Sequence, residues 1–131
     1  MSGAGHRRPF RREDWQRDGR GWYVARDADT FALSRSLPVR WDVEARAVLP
    51  DLARRRLAHA VRQDLWRMLQ NIRGFAPAVE VTRTEVGCAV RAGGAVAGRV
   101  PATLAARIDR MLHDPAQRAS WVRAAKHREA A

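Results

Sequence analysis

The chain has 131 residues, 25 basic against 14 acidic side chains and a formal net charge of +11, and 46% of it is hydrophobic. This length suits one domain of ordinary size rather than two, and the apolar content excludes a chain disordered throughout. No run of about 18 apolar residues is present to span a membrane, and no apolar stretch follows the basic N-terminus as a secretory signal requires.

All but one of the basic residues are arginine, Lys126 being the exception. Together with abundant alanine, this bias reads as GC-rich coding sequence, so a single Arg is a weaker signal than the net charge. That charge raises affinity for nucleic acid, anionic surfaces and acidic partners. The lone Cys88 has no second cysteine to pair with in the chain, which fits a reducing compartment. The expected setting is a bacterial cytoplasm.

Residues 1–21 are polar, with Arg7, Arg8, Arg11, Arg12, Arg17 and Arg20 set among Glu13, Asp14 and Asp18. They lack apolar periodicity, so the expectation is a flexible basic arm ahead of a single domain over 22–131. Phe10 and Trp15 are its candidate anchors. Such an arm can lie along phosphates, or simply keep the chain soluble.

Trp22, Tyr23 and Val24, then residues 30–33, favour strands, and Arg26-Asp27-Ala28-Asp29 between them suits a hairpin turn. Asp27 and Asp29 have no third ligand nearby and fit the capping of backbone N–H groups. Residues 39–47 alternate strictly: Val39, Trp41, Val43, Ala45 and Ala47 against Arg40, Asp42, Glu44 and Arg46. Period two predicts a strand with one buried and one wet face. Leu49-Pro50-Asp51 ends it, and Pro50 and Asp51 suit the first turn of a helix.

A long helix is predicted over 52–73. At about 100° per residue, Leu57, Val61, Leu65, Met68, Leu69 and Ile72 form its core stripe. Arg55, His59, Arg62, Gln63, Gln70 and Arg73 fall opposite, with Trp66 in their midst. An indole ringed by cations can stack on bases while the guanidinium groups hold phosphate. It can instead be covered by the arm, with arginine stems packed on its face. Arg73-Gly74 is a helix stop.

Strands follow at 79–84, at 87–92 and, more weakly, at 95–100, with Gly93-Gly94 as a hairpin turn. Pro101 opens a helix whose stripe is Leu104, Ile108, Met111 and Leu112. Asp114-Pro115-Ala116-Gln117 has the form of a helix N-terminus, with Asp114 as cap and Pro115 in first position. The last helix buries Trp121, Val122 and Ala125 and ends near Arg128. Strands and helices are segregated along the chain. The predicted fold class is therefore α+β, a mainly antiparallel sheet packed on one long central helix, with two shorter C-terminal helices.

Chemistry is sparsely signalled. His6, His59, His113 and His127 are scattered, with no zinc-site spacing. Cys88 lies on an alternating strand and reads as a buried thiol rather than a nucleophile. Residues 93–98 are glycine-rich but lack the Lys-Ser/Thr of a phosphate loop. Asp42 with Glu80-Val81-Thr82 imitates a metal-dependent nuclease pattern, yet Thr82 stands where that pattern needs Lys. No catalytic, cofactor or metal residue is assigned, and an enzyme is not expected. The expectation is a small basic accessory protein that binds DNA or RNA. Its candidate contacts are Arg55, His59, Arg62, Trp66 and Arg73 on the long helix, with Arg7, Arg8, Arg11 and Arg12 on the arm. The alternative is an adaptor or small regulator that docks on an acidic protein partner, since Trp and Arg are also enriched in interface hot spots.

Overall fold

A computed structural model describes residues 9–128. Six strands form one antiparallel sheet: β1 Gln16–Arg17, β2 Tyr23–Arg26, β3 Thr30–Ser34, β4 Val43–Leu49, β5 Phe75–Thr84 and β6 Gly87–Val96, in the spatial order β1-β2-β3-β5-β6-β4. Three α-helices, α1 Arg54–Leu69, α2 Leu104–His113 and α3 Pro115–Ala125, complete an α+β fold. The chain leaves β4 at one edge, crosses through α1, and returns in β5 beside β3. The β5–β6 hairpin then fills the space between β5 and β4.

The period-two pattern decides what each sheet face meets. Leu33, Val79, Ala92 and Ala45 lie in register across four strands, and so do Phe31, Val81, Val90 and Ala47. Both rows face the helices and join the core with Leu57, Val61, Leu65 and Leu69 of α1. α1 packs on β3, β5 and β6, α2 packs on β4, and α3 packs on α1 and α2. Cys88 is fully buried in this layer, its Sγ 3.6 Å from the Leu52 carbonyl oxygen. Asp64 is the only acid of α1. It accepts a 2.7 Å hydrogen bond from the indole Nε1 of Trp121, which couples α3 to α1. Asp114 caps α3 as its sequence implies, accepting from the Gln117 N–H at 3.0 Å. Arg118 reaches back from α3 and donates to the Val48 carbonyl on the outer edge of β4 at 2.8 Å.

Several boundaries differ from expectation. Gly93-Gly94 is not a turn. It lies inside β6, which runs unbroken to Val96 and leaves no separate strand over 95–100. The hairpin turns instead at Glu85-Val86. The glycines are needed because the neighbouring strands approach closely. A Cβ at Gly93 would stand 2.0 Å from the Val43 carbonyl oxygen, and one at Gly94, where φ is 143°, would stand 2.1 Å from that of Ala76. In β4 the alternation of residues 39–42 belongs to a loop, and the strand begins at Val43. α1 starts at Arg54 rather than in the Pro50-Asp51 turn, and its last regular residue is Leu69. α2 starts at Leu104, three residues beyond Pro101. In β4, α1 and α2 the sequence pattern extends past the point where the regular backbone hydrogen bonds stop, whereas in β6 the pairing runs on through an apparent turn signal.

Residues 9–21 lie against the sheet. A 3-10 turn spans Arg12–Asp14, and β1 pairs with β2 in the register Gln16↔Val24. The Asp27 carboxylate accepts from the N–H groups of Asp29 and Thr30, closing the β2–β3 turn.

Candidate functional site

The polar face of α1 does not stand alone. Trp66 is 44% exposed, so residues 9–21 leave much of it open. It forms one wall of a cleft of about 320 Å³ lined by Arg20, Trp22, Arg35, Arg62, Gln63 and Trp66. Two elements build this cleft. α1 supplies the adjacent Arg62 and Gln63 and, one turn on, Trp66. The open end of the β2–β3 hairpin supplies the rest. The register there pairs Tyr23 with Ser34, so Trp22 and Arg35 are the next residues outward on the two strands.

Trp22 is the buried back wall. The guanidinium of Arg62 lies 4.9 Å from its ring centroid and that of Arg35 lies 5.9 Å away. Both are within cation–π range, so the indole offsets part of the cost of gathering like charges. Arg35 also donates to the Gly21 carbonyl, which orders the rim. Asp18 is held at the floor of the loop by the N–H groups of Arg20 at 2.7 Å and Trp22 at 3.1 Å. Burial pushes the Asp18 carboxyl upward. The two N–H donors and the charges of Arg62 and Arg20 more than offset that, so its pKa lies below the usual carboxylate range.

Asp18 faces the charges of Arg62 and Arg20, and Arg35 adds a third guanidinium to the cleft. The imbalance falls chiefly on Arg62, whose buried Nε has no hydrogen-bond acceptor among the described residues. Burial lowers the Arg62 pKa, and Arg20 adds to the effect while Asp18 opposes it. Arginine nevertheless stays charged in proteins, so the site holds a poorly solvated cation. His59, one turn earlier on α1, is held below its ordinary pKa by burial and then by the charges of Arg62, Arg55 and Arg20, against Asp18. It packs on Phe31 with ring centroids 5.9 Å apart. A partly desolvated cation set beside an exposed indole has the chemistry to take an anion with a flat group attached.

The structure brings together some of the residues singled out from sequence and separates others. His59, Arg62 and Trp66 share the α1 face, with exposed Arg55 one turn behind. Arg73 lies in the turn beyond the end of α1 and outside the cleft lining. Arg11 is occupied locally: its N–H donates to Asp14 at 2.7 Å and its side chain faces Glu13 at 3.9 Å. Arg12 lines a different cavity, on the helix-free side of the sheet. Arg7 and Arg8 lie outside the described residues. Sequence reasoning missed Arg20, Trp22 and Arg35. Extending the hairpin register one step past Tyr23 would have found the Trp22–Arg35 pair.

Among the described residues no group of three or more His, Cys, Asp or Glu is placed to hold a metal ion, and no helix is long and apolar enough to cross a membrane. Asp42 of the nuclease-like pattern accepts from the Val96 N–H at 2.9 Å, so it serves the backbone. Comparison of the chain with protein-family models, with curated proteins and with solved structures found no match.

Proposed function

We propose that the protein is a non-catalytic nucleic-acid-binding accessory that holds a single-stranded segment in the cleft beside α1. Phosphates sit against Arg20, Arg35 and Arg62, and a base stacks on Trp66. The observation that carries this reading is the half-buried Arg62, whose Nε lacks an acceptor while an exposed indole stands one turn away. A phosphate oxygen supplies that acceptor and neutralises charge that Asp18 alone does not. The open aromatic face suits an unstacked base rather than a duplex. The net charge of +11 adds sequence-independent attraction around the site.

Fluorescence anisotropy with labelled oligo(dT), oligo(rU) and a random duplex across a salt series tests this. Single strands are expected to bind more tightly than the duplex. Three phosphate contacts give a log–log salt slope near −2, from about 0.7 counterions released per single-strand phosphate. Trp66→Ala weakens binding with the slope unchanged, while Arg35→Gln weakens it and flattens the slope. No binding to any nucleic acid at low salt would remove this reading and leave the cleft to an acidic protein segment, recoverable as a stoichiometric complex.

A further inference from the structure

The helix-free face of the sheet carries a second, larger cavity of about 720 Å³. Its volume falls in the range of small-molecule sites, about 300–1,000 Å³. Part of the floor is made of small side chains. On β3 and β5 the helix-facing positions hold Phe31, Leu33, Val79 and Val81, whereas the opposite positions that line the cavity hold Ala32 and Ala78 beside Glu80, Thr82 and Thr84. Strands ordinarily favour β-branched and aromatic residues, so alanine here leaves room. The walls are aromatic. Phe10 and Trp15 make an edge-to-face pair with centroids 5.7 Å apart, and Trp41 stands in the loop before β4.

Across the floor runs one polar row. Ala32, Glu80, Arg91 and Arg46 are directly opposed on β3, β5, β6 and β4. Arg91 is turned to Glu44: its Nε and Nη2 each donate to that carboxylate at 2.8 Å, and its guanidinium lies 4.0 Å from the Trp41 ring centroid. The nearest cation to Glu80 is Arg91 Nη1 at 3.9 Å, beyond hydrogen-bonding distance, and Glu80 accepts no hydrogen bond among the described residues. The cavity thus presents the Glu80 carboxylate between aromatic walls, with Arg91 and Arg46 both bonded to Glu44 and Arg12 also in the lining.

We propose that this cavity binds a small aromatic amine, its flat ring against Phe10, Trp15 and Trp41 and its N–H donors on the Glu80 carboxylate. A charge-assisted hydrogen bond fixes the orientation, and the ring packs on the aromatic walls. The reading is independent of the cleft beside α1, because the two sites lie on opposite faces of the sheet and share no lining residue.

The test titrates the full chain with tryptamine, with indole-3-propionate as the same ring bearing the opposite charge, and with ethylamine as the ringless amine. Binding is read by calorimetry and by amide chemical shifts on β3, β5 and β6. Tryptamine is expected to bind at least ten-fold more tightly than either control. Glu80→Gln is expected to weaken tryptamine ten-fold or more at unchanged melting temperature. Ala32→Leu, which fills the floor, is expected to block binding while oligonucleotide affinity stays as in the parent. No tryptamine binding, equal binding of the propionate, or an unaffected Glu80→Gln variant each overturns the proposal. If Ala32→Leu fails to fold, Glu80→Gln decides alone.

Discussion

Replacing Asp64 by Ala tests how the helical layer is held together, and the structure gives the size of the effect. Trp121 is 1% exposed, and its single polar atom donates to Asp64 at 2.7 Å. Deleting the acceptor leaves a buried indole N–H with nothing to bond, a loss of about 1–3 kcal/mol. The Asp64 carboxylate is itself partly exposed and only 3.8 Å from Arg67, a contact screened by solvent that adds little. Most of the cost therefore comes from Trp121. Urea unfolding followed by tryptophan fluorescence should show a lower midpoint at unchanged slope, which means lost stability rather than a different denatured state. Asp64→Asn keeps a carbonyl oxygen in place and should lose under half as much. In Trp121→Phe, which has no N–H to satisfy, the additional cost of Asp64→Ala should shrink to a few tenths of a kcal/mol. A full-sized Asp64→Ala effect in the Phe background would refute the reasoning, since the acid would then be acting on something other than the indole.

Other outcomes follow from the charges. His59 has a depressed pKa in the fold, so the unfolded chain takes up a proton first, and stability declines as pH falls below about 6.5. An anion in the cleft opposes that depression. Oligonucleotide binding should therefore take up a proton at His59 and tighten as pH falls from 7 to 5.5, seen as an upward shift of the His59 ring titration by NMR. Glu44 is held low by its bond from Arg91, then by Arg46, and Asp42 by the Val96 N–H, then by Arg40. Depressed carboxylates stabilise above their unfolded values, so this contribution is present above about pH 4 and lost below it. Thermal melts between pH 3 and 6 should be flatter for Glu44→Gln than for the parent. Gly93→Ala places a Cβ against the Val43 carbonyl oxygen, so β4 and β6 must separate locally. The expected cost is about 1–3 kcal/mol by chemical denaturation, with faster amide exchange confined at first to β4.

The fold was legible where periodicity and end signals agreed. The α1 stripe, the β2–β3 turn and the Asp114 cap all rest on local physics, namely a 3.6-residue period, an aspartate closing a turn, and an oxygen accepting from a helix end. Gly93-Gly94 was misread because glycine serves two needs, positive φ and the absence of a Cβ. Only the neighbouring strands reveal the closeness to Val43 and Ala76, to which Gly94 adds a positive φ inside the strand. The candidate site was half visible. One helix period collects His59, Arg62 and Trp66, whereas Arg20, Trp22 and Arg35 join them only through packing between the hairpin and α1. The second cavity left a fainter trace, alanine where strands prefer larger residues, and its meaning depends on knowing which face the helices leave open.

Arg118 on the outer carbonyl of Val48 bears on how the molecule meets copies of itself. A sheet ends in rows of unpaired backbone groups that can template another strand. At one end β1 is only two residues long and polar, too short to recruit a neighbour. At the other, β4 is seven residues long and carries an exposed valine beside exposed Arg46, the kind of edge that invites pairing. Arg118 occupies one of its outward acceptors with a charged donor from α3. An incoming chain must strip that contact and pass the Arg46 charge. The C-terminal helix thus acts as a guard on the sheet's longer open edge as well as a prop for α1.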